Sequence, residues 1–136
     1  MIYVDTGAFL ARHLERDGHH EEARWAWAEL KKRRRRCLTS NFVLDETLTL
    51  LGRRVSCAFA AERAATWWGS NAMVISRPEE RDELAAIELF RKFADQGVSF
   101  TDCVSFALMK RHRVRTAFTF DRHFASAGFE VWPGDS

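Results

Sequence analysis

The sequence predicts an α/β fold, a parallel sheet of about five strands with helices on both faces. Three observations carry this. Short apolar runs alternate with longer stretches of helical period along the whole chain, the order expected when each strand is followed by a crossover helix. No internal repeat and no Pro-, Gly- or Ser-rich linker interrupts that alternation, so residues 1–136 read as one domain. Apolar residues make up 46% and charged residues 29% of the chain, an ordinary globular balance that at this length can bury a core without disulfides or a structural metal.

In order along the chain, residues 2–4 (Ile-Tyr-Val) read as the first strand and residues 8–15 as a short helix. A long helix over residues 19–36 carries Trp25, Trp27 and Leu30. Residues 37–39 form a second strand, and residues 42–53 and 56–68 two helices broken near Gly52. Residues 73–75 form a third strand. Pro78 then opens a helix from its first turn, where Glu79, Glu80 and Asp82 favour the positive end of the dipole. This helix passes Leu84, Ile87 and Phe90 to about Ala94, with Gly97 as its stop. A helix over residues 102–112 and strands over 117–120 and 129–131 complete the pattern.

The formal net charge of +2 excludes neither nucleic-acid nor protein partners, because the distribution of charge decides that. The basic run KKRRRR at residues 31–36 reads as a solvated helix end, its cations near the negative end of the dipole, or as a phosphate-contacting surface. Cys37, Cys57 and Cys103 are odd in number and lack metal-type spacing, so they are expected as free, buried small hydrophobes in a reducing cytoplasm. Asp5 interrupts any signal-peptide pattern, and no apolar run is long enough to span a bilayer.

The informative residues are carboxylates. Sites in open α/β sheets form where strands end and helices begin. Asp5 follows strand one directly, Asp121 follows strand four directly in TFDRHF, and Asp102 lies in the first turn of its helix in SFTDCVSF. Each has a local alternative: Asp5 and Asp121 suit N-caps, and Asp102 stands three residues after Ser99, the capping-box spacing. Glu46 is harder to explain locally. At helical spacing its neighbours are Phe42, Val43, Thr49 and Leu50, which places it on the apolar stripe, while Asp45 takes the solvated side. A buried carboxylate needs a partner. On one rim of a parallel sheet the four would converge, and two carboxylates 5 Å apart repel by roughly 3 kcal/mol at an effective dielectric near 20. A hard cation such as Mg²⁺ or Mn²⁺ would neutralise them, and such ions activate water for attack on a phosphodiester.

At these residues the chain resembles the PIN-domain metal-dependent nucleases, and among them the VapC-type toxins of prokaryotic toxin–antitoxin pairs. The resemblance rests on Val4-Asp5-Thr6, on Glu46 in NFVLDETLTLL, on Ser99 to Asp102 with Ser105 one turn on, on Thr119-x-Asp121-x-x-Phe124, and on the tail GFEVWP. It implies a three-layer α/β/α sandwich and Mg²⁺- or Mn²⁺-dependent cleavage of RNA, with structured transfer or ribosomal RNA as substrate. It also implies a homodimer and a tight-binding antitoxin. Carried over, Asp5, Glu46, Asp102 and Asp121 hold the metal or its waters, and the hydroxyls of Thr6, Ser105 and Thr119 orient those carboxylates. Thr6 and Thr119 have bland alternatives as a helix-start and a strand residue.

Several further residues are placed more loosely. His123 reads as a surface or packing residue with a phosphate contact as the alternative, and Arg122 is similar. Trp67 and Trp68 are expected to fill a core or a dimer contact rather than stack on bases. RNA would approach through basic residues: residues 31–36, Arg53, Arg54, Lys110 and Arg111 are the candidates. The competing readings are a flap- or 5′-type DNA nuclease, for which the chain is short, and a non-catalytic RNA-binding module, against which the complete acidic set counts. A receiver domain would want a Lys near the end of the last strand, and none lies there.

Overall fold

The computed structural model describes residues 1–134. Five strands, β1 (Ile2–Val4), β2 (Cys37–Ser40), β3 (Met73–Ser76), β4 (Thr116–Phe118) and β5 (Glu130–Trp132), form one sheet in the order β3-β2-β1-β4-β5. Every pairing is parallel. The helices are α1 (Thr6–His13), α2 (His20–Lys32), α3 (Asn41–Arg54), α4 (Cys57–Gly69), α5 (Glu80–Lys92), α6 (Phe100–Arg111) and α7 (His123–Ser126). From β1 the connections α1–α4 step the chain toward β3, and α5–α7 carry it back past β1 to β5. Right-handed crossovers therefore put the two groups on opposite faces, giving the α/β/α sandwich. The direction of winding reverses between β1 and β4, and the carboxyl ends of those strands are where such folds place their sites.

β1 lies in the middle of the sheet and is wholly buried, which explains its unbroken apolar character. It shares the core cluster with Leu38 and Phe118 of the neighbouring strands and with the buried helical residues Phe9, Leu44, Phe106 and Leu108. α3 and α6 begin with serine caps: Ser40 Oγ accepts from the Val43 N–H at 3.1 Å, and Ser99 Oγ from the Asp102 N–H at 3.0 Å.

Several boundaries differ from the sequence reading. α2 stops at Lys32 rather than at residue 36. Arg34 turns to φ 52°, its N–H reaches the Lys31 carbonyl, and the Arg35 N–H reaches the Leu30 carbonyl. That is a Schellman stop with Arg where Gly is usual, so no glycine announced it. α1 starts at Thr6, two residues early. α5 starts after Glu79 rather than at Pro78: Glu79 is the N-cap of a reciprocal capping box with Asp82. β4 ends at Phe118, so Thr119 and Phe120 separate it from Asp121. α7 was not anticipated, being only four residues long. Cys37 and Cys103 are free and buried, but Cys57 is free and exposed, because it opens α4 on the helix's outer side.

Candidate functional site

Asp5 is the first residue past β1. Its backbone is held at both ends: the Asp5 N–H donates to the Phe118 carbonyl at 3.1 Å, and the Asp5 carbonyl accepts from the Ala8 N–H at 3.1 Å. It occupies the N-cap position of α1, yet its side chain makes no capping hydrogen bond. Instead Oδ2 accepts from the Thr119 hydroxyl at 2.9 Å. The same Thr119 oxygen accepts from the Asp121 N–H at 2.9 Å, so one hydroxyl sets two carboxylate-bearing residues against each other. Asp121 Oδ1 in turn accepts from the His123 N–H at 2.8 Å, a local turn that leads into α7. Asp102 has its N–H taken by Ser99, which leaves its carboxylate free of capping duty.

These residues meet in an open pocket of about 680 Å³ that also exposes Glu46, Thr6, His19, Phe120, Arg122 and His123. Donor atoms of Asp102, Asp121 and His123 all lie within 4.8 Å of one another. No Lys or Arg among the described residues forms an ion pair with Asp5, Glu46, Asp102 or Asp121. Asp5 and Asp102 are nevertheless buried, 5% and 8% exposed. The electrostatic consequence is direct. Burial pushes the Asp5 carboxyl up to about 6, against a hydrogen bond from Thr119 that lowers it, and the charges of Asp121 and Glu46 add to the rise. Asp102 is raised well above the usual carboxylate range by burial, then by Asp5 and Asp121. The oxygen-rich donor set and its uncompensated negative charge fit a hard divalent cation.

Several expectations change here. Glu46 is half-buried on the pocket rim rather than on the core stripe, which α3 builds from Val43, Leu44, Thr47 and Leu51. Ser105 does not orient a carboxylate: its oxygen accepts from the buried Tyr3 hydroxyl at 2.8 Å. The Thr6 hydroxyl is buried without a hydrogen-bond partner. His123 is half-buried with Nδ1 2.9 Å from Asp121 Oδ1, an angle too bent for a hydrogen bond. Trp67 is buried against Phe9, whereas Trp68 is exposed.

Of the basic candidates for approach, residues 31–36, Arg53, Arg54, Lys110 and Arg111 do not line this pocket. Lys31, Arg34 and Arg35 lie near the opposite, N-terminal edge of the sheet, where β2 begins. Lys110 and Arg111 end the helix that Asp102 starts, and Arg111 is tied to Asp82 at 2.8 and 3.0 Å. Arg122 is the guanidinium on the pocket wall. His19 was missed, because the loop that carries it reaches Phe120 only through tertiary packing.

The family model described as the PIN domain matches residues 2–130. Over 134 residues the chain is 35% identical to the 23S rRNA-specific endonuclease VapC20 of Mycobacterium tuberculosis, in strains CDC 1551 / Oshkosh and H37Rv alike, covering 98% of this chain and 99% of the relative. Its fold matches the crystal structure of Mycobacterium tuberculosis VapC20, described as a Sarcin-Ricin loop cleaving toxin. The TM-score is 0.85 at 32% identity, over 95% of this chain and 96% of that one.

Proposed function

The chain belongs to the PIN-domain family, and from that premise we propose that it is a metal-dependent endoribonuclease of VapC type, the toxin of a toxin–antitoxin pair. The observation that carries the reading is the lining of one pocket by Asp5, Glu46, Asp102 and Asp121, with no Lys or Arg partner for them among the described residues. Burying like charges together is costly unless a cation is bound, and a fold that maintains such a cluster does so for chemistry. Mg²⁺ or Mn²⁺ bound there would supply charge neutralisation and an activated water for attack on phosphorus.

The chain's own residues do the remaining work. Asp102 and Asp121, whose carboxylates lie closest together, would hold the ion with Asp5 beside them, and Glu46 on the rim would hold one of its waters. Thr119 fixes the rotamer of Asp5 and the backbone of Asp121 at once. Arg122 faces the phosphodiester backbone from the pocket wall. Ribosomal RNA is the first substrate to test, given the relative's name, with transfer RNA second.

Partners follow from the surface. Leu84, Ile87 and Phe90 project from α5 at 56%, 42% and 46% exposed, an apolar strip suited to a homodimer contact. The antitoxin is best sought at the cavity between α1, α2 and α4. Arg12, Arg24, Lys31, Arg34, Arg35 and Arg63 ring a floor of Trp27, Leu30, Trp67 and Met73, so the cavity suits an acidic segment with apolar anchors. No helix among the described residues is long and apolar enough to cross a membrane, and free cysteines fit the cytoplasm.

The test is cleavage of labelled total RNA by antitoxin-free protein with Mg²⁺, Mn²⁺ or EDTA, beside single-stranded DNA. Discrete RNA cuts that need metal and vanish in Asp5→Asn support the proposal. Equal cutting by Asp5→Asn would sink it.

A further inference from the structure

We propose that His19 and Phe120 form a nucleobase-stacking subsite on the rim of the acidic pocket, seating the base next to the scissile phosphate. The inference rests on the ribonuclease reading and adds how the RNA is positioned. The two rings are parallel within 5° with centroids 4.3 Å apart. Phe120 packs edge-on against Phe118 at 6.0 Å and 78°, and Phe118 is fully buried. An aromatic ladder thus runs from the core to the pocket and ends at an exposed imidazole.

The ladder is preorganised. Phe120 lies between Thr119 and Asp121, whose positions the hydrogen bonds of the acidic site already determine. The His19 N–H donates to Asp17 Oδ1 at 2.8 Å, and its carbonyl accepts from the Ala23 N–H at 2.8 Å. Phe120 is the one aromatic ring stacked on His19 among the described residues, and His19 is exposed, which leaves the outer face of the imidazole for a ligand. The pocket is also open beside it: an added Cβ at Gly7 or Gly97 would meet nothing within 4 Å. A flat, apolar, weakly polar-edged plate beside a cluster of carboxylates suits the face of a base in single-stranded or looped RNA. It offers little to duplex backbone, which presents phosphates rather than ring faces.

The experiment uses ten-nucleotide single-stranded RNAs carrying 2-aminopurine at successive positions, in EDTA so that nothing is cut. Stacking quenches the fluorophore. Wild-type protein is expected to quench at one or two adjacent positions. His19→Ala should lose that quench and weaken binding about tenfold, the effect of losing one stacked base. His19→Phe should restore both, with thermal melting unchanged throughout. Equal quenching by His19→Ala, or a loss that His19→Phe does not repair, overturns the subsite. Quenching with no positional preference along the RNA also overturns it. Cleavage is scored separately. Metal-dependent cutting with no position-specific quench retires the subsite and leaves the nuclease reading standing. Quenching without cutting of any RNA retires the nuclease reading, and with it the placement of the subsite beside a scissile phosphate.

Discussion

Asp82 and Asp102 are buried aspartates on neighbouring helices, 3% and 8% exposed, and their surroundings are opposite. Asp82 receives Arg111 Nε at 2.8 and 3.0 Å and the Glu79 N–H at 2.8 Å. Burial alone would raise its carboxyl, but hydrogen bonds from Arg111 and Glu79 and the charge of Arg111 outweigh that and hold it low. Asp102 is pushed up by burial and then by the charges of Asp5 and Asp121, with no cation to offset them among the described residues. The same residue type at similar burial is in one place completed by the fold and in the other left without a cationic partner among the described residues. A buried carboxylate therefore signals function only after its partners are counted.

The largest expected break in this comparison comes from substituting each side in turn. Asp5→Asn keeps the Thr119 hydrogen bond and removes a repelled charge. Cleavage of RNA should fall on the order of a thousandfold, while the metal-free protein melts at a higher temperature. Asp82→Asn should leave the cleavage rate within about twofold and cost about 1 kcal/mol in urea unfolding, because Arg111 loses its charged partner but keeps contact with water and Glu79. If both variants lose stability alike, the two regions are not different in kind.

Metal sharpens the contrast next. At about a hundred times its dissociation constant, Mn²⁺ should stabilise the wild type by about 2.7 kcal/mol. Asp82→Asn should keep that gain when melted with and without the ion, and Asp102→Asn should lose it.

Acid separates the two with opposite signs. Asp5, raised to about 6, gives its full stabilising contribution below about pH 3.9, the unfolded value, and loses it as pH rises through 6. Asp82, held low, contributes above about pH 3.9 and loses that contribution as pH falls further. Metal-free protein should thus gain on the order of 2 kcal/mol from pH 7.5 to pH 5, then weaken in stronger acid. Denaturant curves at stepped pH check this, and the first limb should become shallower in Asp5→Asn, the remainder belonging to the raised Asp102 carboxyl.

The smallest effect lies at the other edge of the sheet. The Arg12 guanidinium is destabilised as a cation by burial and then by Arg63. Arg63→Gln should raise stability by a few tenths of a kcal/mol, more at low salt than at high.

How much of this was legible from the chain follows from what each contact spans. Asp5, Asp102 and Asp121 could be picked out because each stands where an apolar run changes period. Glu46 was found by the same pattern but placed too deep, since helical spacing alone does not say which side of a stripe meets a pocket. Asp82 read as an acid favoured by its helix dipole, because Arg111, 29 residues on, becomes its partner only when α5 packs on α6. The His19–Phe120 stack spans two loops far apart in sequence and had no local signal. The end of α2 was misread because Arg34 takes a backbone conformation that usually advertises itself with glycine.

The most direct test of the central claim is calorimetric titration of Mn²⁺ into purified wild type, Asp5→Asn and Asp82→Asn at pH 7.5. Saturable binding in wild type and Asp82→Asn, and none in Asp5→Asn, is the predicted result. Equal binding by wild type and Asp5→Asn, or none by any of the three, would contradict the assignment of the acidic pocket as a metal centre.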